Sequence, residues 1–205
     1  MRLIVSLLLL AGAAANAATV TFENMPLNDS CGFNPIPCLQ SITTPEGFVF
    51  SHTNTDGFGY EEVRVVSSSN DGNYLTTFFD PSYGGTDLRI THEYGSAFDL
   101  QSLDTTYSSQ AGYVSIRGYD EFDNQVAYEY LTSLSSNWVN LSFDDSWNAV
   151  HSVVIEGGYF CAFSNCVGIP NGVDNFTASV VPIPAAAWLF GSALAGLGFI
   201  KRKQT

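Results

Sequence analysis

The sequence predicts an all-β fold, an antiparallel jelly-roll-like β-sandwich, flanked by an N-terminal signal helix and a C-terminal transmembrane helix. Three observations lead there. From Thr19 onward, short segments rich in β-branched and aromatic residues are separated by Gly, Asn, Asp and Ser clusters roughly every ten residues, the rhythm of strands and turns. Apolar residues in the clearest segments fall on alternate positions, as when one strand face is buried. The two ends carry continuous apolar runs that fit neither pattern.

In chain order, strands are expected near Thr19 to Glu23, Gly47 to His52, Glu62 to Val66, Leu75 to Phe79, Asp87 to Thr91, Ala97 to Leu103, Tyr113 to Tyr119, Gln125 to Leu131, Trp138 to Phe143, Val150 to Glu156 and Val173 to Val180. Asp71-Gly72, Gly84-Gly85 and Gly157-Gly158 mark turns between them. Val114, Ile116 and Gly118 alternate with Tyr113, Ser115 and Arg117, and Val139, Leu141 and Phe143 with Trp138, Asn140 and Ser142, so one face of each strand is expected inside. Eleven short strands point to two packed sheets more than to a barrel. No segment before the C-terminal run carries a helical stripe, and no internal repeat is present.

The chain has 205 residues and divides into a signal peptide (1–17), one exported domain (18–180) and a tail (181–205) whose helix spans 185–200. Four of the seven basic residues, Arg2, Lys201, Arg202 and Lys203, lie in the terminal segments. The domain between keeps Arg64, Arg89 and Arg117 against all twenty acidic residues, a net of −17. Such a surface repels nucleic acid and anionic headgroups, so nucleic acid is excluded as a partner and neutral glycans or cations are compatible. The acidity also has a plain role in solubility.

The four cysteines form two close pairs, Cys31 with Cys38 and Cys161 with Cys166. In an exported chain disulfides are the expected outcome, and of the three connectivities the local one, which closes two short loops, is preferred. Neither spacing fits the C-x2-C pairs of a zinc site.

At the N-terminus, Arg2, the apolar Leu3 to Leu10 and the small-residue run Ala11 to Ala18 make a secretory signal. Ala15-Asn16-Ala17 satisfies the small-x-small rule, which places cleavage after Ala17, with Ala15 and Ala18 as alternatives. The apolar stretch is well short of the roughly 20 residues of a membrane span. At the other end Val181, Pro182, Ile183, Pro184, Ala185 and Ala186 open a tail in which Ala185 to Ile200 is uninterruptedly apolar and Lys201, Arg202 and Lys203 close it. As a helix this run is about 24 Å long, and the terminal basic side chains can snorkel to complete a span. Basic residues stay on the cytoplasmic side, which leaves the acidic domain outside.

This order of proline motif, apolar helix and basic end resembles the PEP-CTERM sorting signal of Gram-negative bacteria. The resemblance rests on Val181, Pro182, Pro184, the Ala185 to Gly191 stretch and Lys201 to Lys203, with Ile183 where the motif usually has Glu. It implies processing by an exosortase, a membrane protease-transpeptidase, after signal peptidase has removed the leader. The chain would then be single-pass in the inner membrane with its C-terminus cytoplasmic, and later at the cell surface or extracellular. Phe98 to Leu103, Val114 to Asp120, Trp138 to Phe143 and Val173-Asp174-Asn175-Phe176 look similar to many exported proteins of this class and distantly to carbohydrate-binding jelly rolls. That resemblance implies a last strand beside the first.

No catalytic motif stands out. His52, His92 and His151 are scattered, no H-E-x-x-H or G-x-S-x-G pattern occurs, and catalytic residues are expected to be none. Two well-placed carboxylates would suffice for a glycosidase, which keeps a secreted glycan-active enzyme as the alternative. Asp144-Asp145, Asp120-Glu121 with Asp123, and Asp80 with Asp87 could contribute oxygen ligands to a structural calcium, although none has EF-hand spacing; otherwise no cofactor is expected. Tyr60, Tyr74, Phe78, Phe79, Tyr83, Tyr107, Tyr119, Tyr128, Tyr130, Trp138, Trp147 and Tyr159 supply aromatic surface. An exposed aromatic platform beside amides and carboxylates suits a sugar ring, with its apolar face and polar rim. The expectation is therefore a non-catalytic surface or matrix protein associated with exopolysaccharide or envelope, the other alternative being a simple C-terminally anchored structural protein.

Overall fold

In the computed structural model the described residues are 17–27, 41–52, 62–68, 72–78, 87–106, 113–132, 138–157, 160–162, 165–167 and 172–181. They form β1 (Ala17–Val20), β2 (Ser41–Thr43), β3 (Phe48–His52), β4 (Glu62–Ser68), β5 (Gly72–Phe78), β6 (Asp87–His92), β7 (Phe98–Thr106), β8 (Tyr113–Tyr119), β9 (Gln125–Thr132), β10 (Val139–Ser142), β11 (Ser152–Gly157), β12 (Phe160–Ala162), β13 (Asn165–Val167) and β14 (Gly172–Val180). All pairings are antiparallel. One six-stranded sheet runs β10-β7-β14-β5-β4, with β1 also on β14; the second runs β2-β3-β6-β11-β8-β9. β12 and β13 make a separate two-stranded ribbon.

The two sheets meet through phenylalanines. Phe98 and Phe176 of the first sheet and Phe48 and Phe50 of the second are fully buried. Phe48 sits edge-to-face against Phe98 at 5.4 Å and Phe176 at 5.0 Å, and Phe50 against Phe176 at 5.6 Å. Such perpendicular contacts let positive ring edges meet negative faces while excluding water. Val20, Leu75, Leu100, Leu103 and Val173 extend this layer on one side, and Ile90, Val114, Ile116, Val153 and Ile155 on the other.

The predicted sandwich is the observed architecture, and the last strand does lie beside the first: β14 pairs with β1 from Val20↔Phe176 to Ala17↔Ser179. The edges differ. The first strand runs Ala17–Val20 instead of Thr19 to Glu23, because the Met25 N–H donates to the Phe22 carbonyl and turns the chain away. The β11 strand starts at Ser152; before it, Ala149 has φ 55° and Val150 forms only a bridge to Phe98. β2, β12 and β13 were not expected, since three residues are too few to display a period of two.

Among the described residues no helix is long and apolar enough to cross a membrane. The expected signal helix, Pro182, Ile183, Pro184, Ala185, Ala186, the 185–200 helix, Lys201, Arg202, Lys203, Cys31 and Cys38 lie outside the described residues.

Candidate functional site

Alternation within β8 and β9 decides what their outer face presents. Val114, Ile116 and Gly118 point inward, and a Cβ at position 118 would meet Val150 and Trp147 at 3.0 and 3.3 Å, so the core closes over that glycine. Tyr113, Ser115 and Arg117 therefore face outward, and the register puts Tyr130 opposite Ser115 and Tyr128 opposite Arg117. The result is a ladder of three tyrosines. Tyr113 and Tyr130 have ring centroids 5.5 Å apart at 28°, and Tyr130 and Tyr128 6.2 Å apart at 22°. These separations are those of offset, near-parallel rings, which leave part of each face uncovered. The three are 37 to 49% exposed.

Below the ladder lies a fixed polar layer. Arg117 Nη1 donates to Glu156 Oε1 at 2.6 Å and Ser115 Oγ to Glu156 Oε2 at 2.8 Å. The Arg117 guanidinium lies 5.9 Å from the Tyr128 ring centroid, a cation-π distance. Two of the three arginines of the predicted exported domain are on this face, since register places Arg89, Val154, Arg117 and Tyr128 in one line across β6, β11, β8 and β9. At about 4.8 Å per strand, Arg89 and Tyr128 are about 14 Å apart.

At the Arg89 end is an open depression of about 400 Å³ lined by Arg89, Thr91, Asp120, Asp123, His151 and Ser152, among others. Arg89 Nη2 donates to Asp123 Oδ1 at 2.8 Å and Ser152 Oγ at 3.0 Å. Asp120 closes the β8–β9 turn by accepting from the backbone N–H of Phe122 and of Asn124, and the Asn124 side chain holds its carboxyl below the usual carboxylate range. Asp144 caps the 3-10 turn Asp145–Trp147 through Ser146, which lowers its pKa as well. In two of the three expected calcium groups, then, one carboxylate, Asp120 or Asp144, accepts hydrogen bonds from its own turn. Among the described residues no group of three or more His, Cys, Asp or Glu is placed to hold a metal. Asp87 belongs to β6, and Asp80 lies outside the described residues.

The remaining expected residues are spread out. Ala17 and Ala18 stand in β1, opposite Ser179 and Ala178. Val181 donates its N–H to the Ala97 carbonyl at 2.8 Å. Cys161 and Cys166 are directly opposite in the β12–β13 register, a backbone arrangement compatible with the expected local disulfide. Of the expected aromatics, Trp147 is core, Tyr74 and Trp138 pair on the other sheet, and Tyr60, Phe79, Tyr83, Tyr107 and Tyr159 lie outside the described residues. Tyr113 was not among the expected contacts; its outward place in the Tyr113-Ser115-Arg117 alternation was the signal that could have found it.

No family model matches the chain, and no curated protein matches it. Solved structures with a related outline include a DUF4465 family protein from Bacteroides caccae, at 13% identity and TM-score 0.47, covering 81% of this chain and 100% of that one. A family 29 carbohydrate-binding module from Piromyces equi is 14% identical with TM-score 0.42, covering 82% and 92%. An α-L-arabinofuranosidase is 11% identical with TM-score 0.41, covering 78% of this chain and 25% of that one. Likeness of this degree carries no argument about the site, which rests on the geometry above.

Proposed function

We propose that this chain is an exported, exosortase-sorted, non-catalytic β-sandwich that binds neutral polysaccharide of the cell surface or matrix through the Tyr113-Tyr130-Tyr128 ladder. The exposed, offset ladder is the observation that carries the reading. Three half-open aromatic faces are a poor use of a soluble surface unless something apolar on one side and polar on its rim covers them, and a pyranose is such a group. The ring spacings of 5.5 and 6.2 Å are on the scale of one unit of an extended, equatorially linked glycan. The charge of the domain disfavours anionic glycans, so the ligand is neutral.

Export and sorting rest on the two terminal signals of the sequence. Signal-peptidase cleavage after Ala17 would keep Ala18, Thr19 and Val20 opposite Ala178, Thr177 and Phe176. Exosortase removal of the tail beyond Val181 would spare every strand described here. Intact mass of the protein from its native host tests this: loss of both ends is expected, whereas a mass retaining Lys201 to Thr205 would make the chain a simple single-span protein.

The binding reading is tested by affinity electrophoresis of the full chain in mild detergent through gels containing hydroxyethyl cellulose, xyloglucan or glucomannan. Retardation by at least one polysaccharide, with no release of reducing ends, is expected. No retardation in any gel would overturn the binding claim, and reducing-end release would make the protein an enzyme.

A further inference from the structure

On the opposite side of the sandwich, the outer face of the first sheet is built around a glycine. Gly172 opposes Thr106 and Thr76, and its neighbour Val173 points into the core, so position 172 faces out. A Cβ there would come within 2.8 Å of the Trp138 indole and 3.2 Å of the Tyr74 ring. Glycine inside a strand sacrifices β-propensity, and here its absent side chain leaves the space that two aromatic rings occupy. Trp138 and Tyr74 meet edge-to-face at 5.3 Å and 79°, an arrangement in which neither ring covers both faces of the other. Both are half-buried.

Next to this pair on the same face runs a line of amides and carboxylates. Asn140 Nδ2 donates to Asp104 Oδ1 at 2.6 Å, and Asn175 Nδ2 to Asp104 Oδ2 at 2.7 Å. Asn175 is held at φ 46°, in the left-handed region, at a register shift in β14. Backbone strain of this kind in a non-glycine residue persists only where the surroundings fix it. Asn140 is exposed, and each amide uses one N–H in these bonds, leaving a second N–H and a carbonyl as ligand chemistry. Aromatic rings beside fixed amides are the composition that recognises a sugar ring and its hydroxyls. The carboxylates beside these amides, Asp104 and Asp174, disfavour an anionic ligand.

We propose that the outer face around Trp138, Tyr74, Asn140 and Asn175 is a second neutral-glycan site, so that one molecule bridges two polysaccharide chains, one on each side of the sandwich. The proposal rests on the reading of the tyrosine ladder as a first site. The two faces are separated by the core, so a single extended chain does not reach both.

The test titrates the full chain with cellohexaose, following both heat and tryptophan emission. Two sites per chain are expected. Tyr128→Ala with Tyr130→Ala should leave one site and keep the emission change, because the ladder contains no tryptophan; Trp138→Phe should abolish the emission change and leave the ladder site. Asn140→Ala, an exposed substitution, guards against misfolding and should weaken only the second site. Hydroxyethyl cellulose should cluster, by light scattering, with the unmodified protein and not with either single-face variant. A single site, lost in the ladder variant and accompanied by no emission change, overturns the bridging proposal and leaves the first reading standing. No binding at all overturns both.

Discussion

The phenylalanines between the sheets and the tyrosines outside β8 and β9 are the same class of side chain put to opposite ends. Phe48, Phe50, Phe98 and Phe176 are fully buried and meet at 69 to 87°. Tyr113, Tyr128 and Tyr130 are 37 to 49% exposed and meet at 22 to 28°. Perpendicular rings fill a closed volume from all directions, whereas offset parallel rings form a strip with one side open. The hydroxyl on each tyrosine lets its tip remain in water. The difference teaches that ring orientation and exposure, taken together, separate aromatics that fill the core of this fold from aromatics that present a face to solvent.

If that division is right, substitutions in the two groups have separable effects. Phe176→Ala opens a cavity where two sheets join and is expected to cost about 3–5 kcal/mol, seen as a large drop in the denaturant midpoint, while the fraction that stays folded binds glycan as before. Loss of binding without loss of stability would break the division from the core side.

Asp174 sharpens the boundary between inside and outside. Its carboxyl is pushed up mainly by desolvation, with Glu23 and Asp104 adding to the effect and backbone N–H donors opposing it. A raised folded pKa means that the native state binds the proton more tightly than the unfolded chain does. The stabilisation is complete below the unfolded value of about 3.9 and is lost as pH rises through the folded value. Relative to Asp174→Asn, the unmodified protein should therefore lose stability as pH is raised from about 3 to 7. Chemical denaturation of the two at both pH values checks this, and a difference that stays constant or has the opposite slope refutes it.

Much of the fold was legible because alternation survives wherever a strand is long enough. Val114, Ile116 and Gly118 announced their buried face, and β8 begins and ends where expected, at Tyr113 and Tyr119. The short β2 and β12–β13 ribbon carry too little pattern to be seen, and the first strand was misplaced because Phe22 is a core residue outside any strand. The site was only half legible. Tyr128 and Tyr130 stood among a dozen aromatics, but their partnership with Tyr113 depends on the β8–β9 register, including its shift between Gly118 and Tyr119. The Trp138–Tyr74 pair was still less visible, since it forms across β14 over Gly172, far from both residues in sequence.

The most direct test of the tyrosine ladder compares the full chain with its Tyr128→Ala, Tyr130→Ala variant, measuring stability and polysaccharide affinity on the same preparations with Trp138→Phe in both to silence the second face. Cross-strand pairs on an exposed edge are worth up to about 1 kcal/mol each, so unfolding should shift only modestly. Affinity for the polysaccharide that retards the unmodified chain should fall roughly tenfold or more, as when aromatic anchors are truncated. Unchanged affinity with reduced stability would show that the tyrosines serve only to pair β8 with β9, and the account of this face as a glycan site would be wrong.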